Sequence, residues 1–275
     1  MTETFPPADA TPDPPHPYTE TALARLLLSD AYREVAERAL GRIGTELDDS
    51  NTVGPGDYVR EAASLIRLAE YVQRRAVLYE RERGTSWEEI GEALDITRQS
   101  AHAKFAYHVK EWRAPLDKPD KLNADGTPHD ERISYGARYA PGHPEPAYGT
   151  AEETARTLDR WLRRHTDPAY VGASQEHPVS DGLPRHNTTS LLFLADRVGH
   201  RLLEDQLVPD PQAQADLCDR RAELYERLIR EGGTVPDDIH QWIAKERARA
   251  AALRATPGRG ITWDEMASRD TAQES

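Results

Sequence analysis

The chain is nearly devoid of cysteine, poor in aromatic residues and without any long apolar run. Its one cysteine, Cys218, has no partner for an internal disulfide, and no Cys/His group has the spacing of a structural zinc site. A reducing compartment is expected, and no metal. No segment approaches the ~20 apolar residues needed to cross a bilayer, and no basic region followed by an apolar run opens the chain. A soluble, unexported, cytoplasmic protein with no membrane partner is therefore expected. Also lacking are nucleophile motifs, glycine-rich phosphate loops and carboxylate pairs at a spacing that identifies acid/base chemistry, so neither an enzyme nor a cofactor is expected.

What is present is charge and proline. Of the 275 residues 30% are charged, 37% hydrophobic and 7% aromatic, and 20 are proline, so modest folded units should alternate with polar connections. The net charge of −13 argues against nonspecific coating of nucleic acid, because phosphate repels an acidic surface. Its distribution is uneven. Residues 57–113 hold ten Lys/Arg and ten Asp/Glu, so the acidic excess lies elsewhere.

Six prolines among small polar residues make 1–19 a disordered tail by composition. A first helix is expected over about 20–46, with Leu28, Tyr32, Val35, Ala36, Ala39, Leu40 and Ile43 as its apolar stripe. Asp57 is suited to cap a second, whose stripe is Ala62, Ile66, Ala69 and Val72/Ala76 and which ends near Gly84. These helices lead into a helical domain over 20–114. A Pro-rich linker follows at 115–148, then a second helical region over 149–255 with stripes at Ala155/Leu158/Trp161, Leu191/Leu194/Val198/Leu202 and Cys218/Ala222/Tyr225/Ile229, and a tail at 256–275. No long period-two alternation appears, so an all-α, multi-helix protein is expected. An internal echo links Arg74–Arg81 (RRAVLYER) to Arg220–Arg227 (RRAELYER) and Ser86–Ile90 to Thr262–Met266, as a decayed duplication or a shared Arg/Ala/Glu-rich alphabet would produce. The second copy has no turn and reading helix after Met266.

Residues 85–105, TSWEEIGEALDITRQSAHAKF, read as two short helices at a tight corner. Ser86 and Glu89 form an S-x-x-E capping box. Ile90 and Leu94 share a face, and Gly91 beside them lets a neighbour approach closely. Asp95 falls where the turn needs a positive φ. Ile96 plugs the corner, Thr97 caps the second helix, and Ala101, Phe105, Val109 and Trp112 form its buried stripe. The outward face is Arg98, Gln99, His102, Ala103, Ala106, Lys110 and Arg113.

The segment resembles the helix-turn-helix of region 4 of bacterial sigma factors and of many actinobacterial regulators. The family's E-[IL]-[AG]-x-x-L is matched by Glu89-Ile90-Gly91-Glu92-Ala93-Leu94, its G-[IV]-[ST] turn by Asp95-Ile96-Thr97, with Asp95 replacing the glycine, and its polar opening by Arg98-Gln99-Ser100-Ala101. No segment resembles the promoter-melting region of a complete sigma factor, so a sigma factor is not expected. The resemblance implies that the second helix enters the major groove of double-stranded DNA, with Arg98, Gln99, Ser100 and His102 reading bases and Thr97, Lys104, Lys110 and Arg113 meeting phosphates. A bacterial transcriptional regulator is the expectation, the long helices offering a homodimer face and the C-terminal helices a protein partner. The alternative is a helical interaction protein in which the corner only packs. His102 and His108 lie on different faces and share no metal. The tryptophans Trp87, Trp112, Trp161 and Trp242 are expected to pack, and the basic run Lys245–Arg259 to be a solvated face.

Overall fold

The computed structural model describes residues 17–43, 54–117, 151–167, 176–204 and 211–255. Most of the expected N-terminal tail, residues 118–148 of the linker and the tail from 256 lie outside the described residues, as do Thr262–Met266 of the internal echo. Among the described residues the protein is all-helical. Its elements are α1 (Glu20–Leu40), α2 (Asp57–Glu82), α3 (Trp87–Ala93), α4 (Arg98–Asp117), α5 (Ala151–His165), α6 (Thr188–Glu204), α7 (Pro211–Arg230) and α8 (Ile239–Ala255). None of these helices is long and apolar enough to cross a membrane.

Helix α1 organises the first half. Thr19 caps it by accepting from the Ala22 N–H at 3.2 Å. Its first three turns are apolar on three sides, because three neighbours surround them. Ala22 and Leu26 pack with Tyr18 against Ala155 and Leu158 of α5; Ala24 and Leu27 meet Leu78 of α2 and Val109 and Trp112 of α4; Leu28 and Ala31 meet Tyr71 and Val72 of α2. The helices on either side of the linker therefore touch through α1. Tyr18 falls in the stretch assigned to the tail, yet it is buried and donates its hydroxyl to the Ser180 carbonyl at 3.2 Å.

Three sequence expectations are corrected here. Of the stripe expected on α1, Tyr32 is 53% and Ile43 76% exposed, so the buried part of the helix is the N-terminal half instead. On α2, Ile66 is 63% exposed and Ala62 and Ala69 are also exposed, while Leu68, Tyr71, Val72, Val77 and Leu78 are buried. The physical reason is which side is covered: α1 packs on Tyr71 and Val72, and α4 meets α2 from about Gln73 onward, where Val77, Ile90, Ala101 and Phe105 close a small core. The cap of α2 also differs. Gly56, at φ +85°, takes the cap position, and the Asp57 carboxylate reaches back to accept from the Gly54 N–H at 2.6 Å. In the second half Leu191, Leu194 and Ala195 of α6 pack on Leu217 and Leu224 of α7, and Ala215 and Cys218 of α7 pack on Ala250 and Leu253 of α8. Burial pushes the Cys218 thiol up to about 12, so it is a packing residue.

Candidate functional site

The corner between α3 and α4 is built from short-range instructions in the sequence. Ser86 Oγ accepts from the Glu89 N–H at 3.2 Å while Glu89 Oε2 accepts from the Ser86 N–H at 2.7 Å, completing the capping box. That backbone donor holds the exposed Glu89 carboxyl below its ordinary range. Helix α3 ends in a Schellman arrangement, with Ile96 N–H donating to Gly91 C=O at 2.9 Å and Asp95 N–H to Glu92 C=O at 3.1 Å. This places Asp95 at φ +54°, the only non-glycine residue with positive φ among the described residues. A Cβ on Gly91 would stand 2.8 Å from the Ile96 oxygen and 3.1 Å from the Arg98 nitrogen, so a side chain there is excluded by backbone.

Helix α4 then starts on Thr97, whose Oγ1 accepts from the Ser100 N–H at 3.1 Å. Ala101, Phe105, Val109 and Trp112 are all buried, the stripe expected from the sequence. The helix continues to Asp117, past Pro115 where the linker was expected to begin. With that stripe buried, Thr97, Arg98, Gln99, Ser100, His102, Lys104, Lys110 and Arg113 are all exposed.

The surface is not uniform. Lys104 donates to Gln73 Oε1 at 3.2 Å, and Arg113 pairs with Glu82 at 3.1 Å, so α2 holds two of the expected phosphate contacts. Thr97 and Ser100 pair their hydroxyls at 2.9 Å. Arg98, Gln99 and Lys110 lead into solvent. His102 lies edge-on to Trp87 at 5.3 Å between ring centroids, and the Arg81 guanidinium covers Trp87 at 4.9 Å, so the histidine is braced through α3 and α2. Tyr107 was missed by sequence reasoning. It stands 65% exposed on the outer face of α4, eight residues after Gln99, a spacing that identifies it once the buried stripe is fixed. A bond with Glu111 raises its phenol. Four acids flank the corner, with Glu88, Glu89, Glu92 and Asp95 exposed.

The other candidates separate cleanly. Trp112 is buried, Trp161 stacks on His165 at 4.5 Å, and Trp242 donates to Asp238 at 2.9 Å. Within the basic run, Arg247 pairs with Asp219 at 3.4 Å and Glu226 at 3.3 Å, and Arg254 with Asp219 at 2.6 Å and Asp216 at 3.0 Å, so these arginines are neutralised by α7. Among the described residues no group of three or more His, Cys, Asp or Glu side chains is placed to hold a metal ion. Compared with known proteins, the chain matches no family model, no curated protein and no solved structure.

Proposed function

We propose that residues 86–113 are a helix-turn-helix that binds duplex DNA sequence-specifically, and that the protein is a bacterial transcriptional regulator working in the cytoplasm on the nucleoid. The observation that carries the reading is a conjunction. A capped α3, an αL residue at the turn, a side-chain-free Gly91 against the turn backbone and an exposed polar first turn on α4 all occur within fifteen residues. The elements that pack on α4 cover Ala101, Phe105, Val109 and Trp112, and Arg98 and Gln99 in its first turn stay exposed.

In this reading Arg98 donates two hydrogen bonds to guanine and Gln99 pairs with adenine, each worth roughly 1–3 kcal/mol of discrimination. Ser100 and His102 add secondary contacts, and Lys110 meets phosphate directly. Lys104 and Arg113 first leave Gln73 and Glu82, and Thr97 contributes least because its oxygen already caps α4. The rival reading is a non-enzymatic helical interaction protein in which the corner is only a packing element. It draws on the net charge of −13 and on the exposed Glu88, Glu89 and Glu92 of α3.

Selection of the full chain against a random duplex pool at two salt concentrations separates the two. The expected result is an enriched motif that disappears in Arg98→Ala/Gln99→Ala, with helicity by circular dichroism unchanged. No enrichment by the parent chain overturns the reading and favours the interaction protein; a motif retained by the double variant overturns the assigned readers.

A further inference from the structure

Helix α5, AEETARTLDRWLRRH, places Arg156, Arg160, Arg163 and Arg164 at i, i+4, i+7 and i+8. At 3.6 residues per turn these lie within an arc of roughly 100°. The helix is held in three ways. Ala155 and Leu158 are buried against Tyr18, Ala22 and Leu26. The buried Asp159 carboxylate accepts from the Val179 N–H at 2.7 Å and from the Ser180 hydroxyl at 2.6 Å. At the N-terminal end, Arg185 donates to Glu152 at 2.9 Å. The helix cannot roll, and its four arginines are all exposed.

Two of the three acids of α5 are therefore committed elsewhere. Glu152 serves Arg185 and Asp159 serves the 179–180 turn, while Glu153 lies in the first turn of the helix. Among the described residues none of the four arginines forms an ion pair, and Arg160 makes only a bond to its neighbour Thr157 at 3.0 Å. The arginines of α8 are held differently, with Arg247 and Arg254 each paired to two carboxylates of α7. Like charges at i, i+4 on one helix repel, so an unneutralised row is unfavourable unless an anion covers it.

We propose that the α5 row is a second DNA-contact surface that grips phosphates beside the site occupied by α4. Its length fits: Arg156 to Arg164 spans about 12 Å at 1.5 Å per residue, against one phosphate per ~3.4 Å of axis along a strand. Its chemistry fits as well, because guanidinium forks bind phosphate bidentately. The row and α4 share one scaffold. Leu23 of α1 packs against both the α5 cluster and the cluster that holds Val109 and Trp112, so α1 joins α5 to the core beneath α4. The inference rests on the helix-turn-helix reading for its choice of DNA as the polyanion.

The test is the salt dependence of full-chain binding to a labelled random-sequence duplex between 50 and 200 mM salt. Arg160→Gln/Arg164→Gln removes two phosphate contacts and should make the slope of log K against log salt shallower by about 1.8. A fourfold rise in salt then costs the variant roughly twelvefold less affinity than it costs the parent. Arg160→Lys/Arg164→Lys, which keeps the charge, should retain most of the parental slope, and all variants should keep the parental helicity. A glutamine variant with the parental slope overturns the row as a DNA surface and leaves it to an acidic protein. If that variant still selects the parental motif, the row alone has failed. If Arg98→Ala/Gln99→Ala has no effect on selection while the α5 slope change appears, the row stands and the assigned readers fail. Absence of any duplex binding by the parent at 50 mM salt overturns both.

Discussion

Two helices of this chain carry nearly the same eight residues, Arg74–Arg81 in α2 and Arg220–Arg227 in α7, and the cations beyond each are only partly treated alike. Both octapeptides bury their shared leucine, Leu78 and Leu224. Both helices close with a Schellman arrangement around a glycine of positive φ. Thr85 N–H reaches Glu80 C=O past Gly84, and Gly233 N–H reaches Leu228 C=O past Gly232. After α2 the chain makes a short helix and a corner, and α4 leaves Arg98 and Lys110 in solvent while Arg113 pairs with Glu82 of α2. After α7 the chain makes one long helix that folds back, so that Arg247 and Arg254 meet carboxylates of the preceding helix. A run of arginines is thus available or neutralised according to what the previous helix places opposite it. Local composition does not distinguish the two.

The comparison breaks most visibly at the core beneath the corner. Phe105 is among the largest fully buried side chains and joins α4 to Val77 and Ile90. Phe105→Ala should cost about 3–5 kcal/mol, read from the shift in a urea unfolding midpoint. Leu224→Ala, at the equivalent depth in the second half, should cost about 2–5 kcal/mol. A loss below about 1 kcal/mol for Phe105→Ala would mean that α4 is not anchored by this core, and the outward presentation of Arg98 would lose its basis.

Gly91 tests the corner itself. A methyl group there meets backbone at 2.8 Å, so α3 and the turn must separate. Gly91→Ala should destabilise by about 1–3 kcal/mol despite the better helix propensity of alanine. By contrast Gly84 has nothing within 4 Å of its hypothetical Cβ, and substitution there is opposed by its φ of +92° alone. A stabilised Gly91→Ala protein would show that the corner opens in solution.

These local features were the legible part of the molecule. The capping box, the αL residue, the close approach at Gly91 and the buried stripe of α4 each follow from residues close together in sequence. What the sequence concealed depends on distant partners. Tyr18 reads as a tail residue until α5 and the 179–185 segment enclose it, with Arg185 over its ring at 3.9 Å. Ile66 reads as core because periodicity reports which face is apolar, and is silent on where the covering helix ends. For the same reason the α5 arginines and those of α8 look alike in sequence, since the carboxylates that separate them are 21 to 38 residues away.

Charge burial distinguishes the two ends of α1. At the α1–α2 interface burial, reinforced by the negative charge of Asp30, pushes the Glu34 carboxyl up to about 7 from an ordinary 4.5. The folded protein then holds a proton that the unfolded chain has released, so this group's contribution declines as pH rises from about 4.5 to about 7 and is level above. Glu34→Gln should raise the thermal midpoint at pH 8 and leave it nearly unchanged at pH 4.5, a difference on the order of 1–2 kcal/mol after allowance for solvent screening. Glu20 acts in the opposite sense. Its bond with His186, assisted by Arg197, lowers it to about 2, so its contribution is lost as pH falls from 4.5 toward 2. Equal midpoints for Glu34→Gln and the parent at pH 8 would remove the first of these effects.

The smallest expected effect isolates the one departure from the helix-turn-helix pattern. Helices α2 and α7 place glycine at the residue of positive φ that ends them, whereas α3 places Asp95, at φ +54°. An aspartate there is mildly strained, but it lowers the entropy of the unfolded chain relative to glycine, by roughly 0.4–1 kcal/mol. It also sets a negative charge just before the N-terminus of α4, worth about 0.3–1 kcal/mol to that helix. These terms nearly cancel, so Asp95→Gly should change stability by no more than about 0.5 kcal/mol. Asp95→Asn keeps the tolerance for positive φ and removes only the charge. If the aspartate matters to binding through repulsion of phosphate, both substitutions should strengthen duplex binding at 50 mM salt by the same factor, and the gain should shrink at 200 mM. A gain confined to Asp95→Gly would instead assign the effect to the angle between α3 and α4, because asparagine removes the same charge without freeing the backbone.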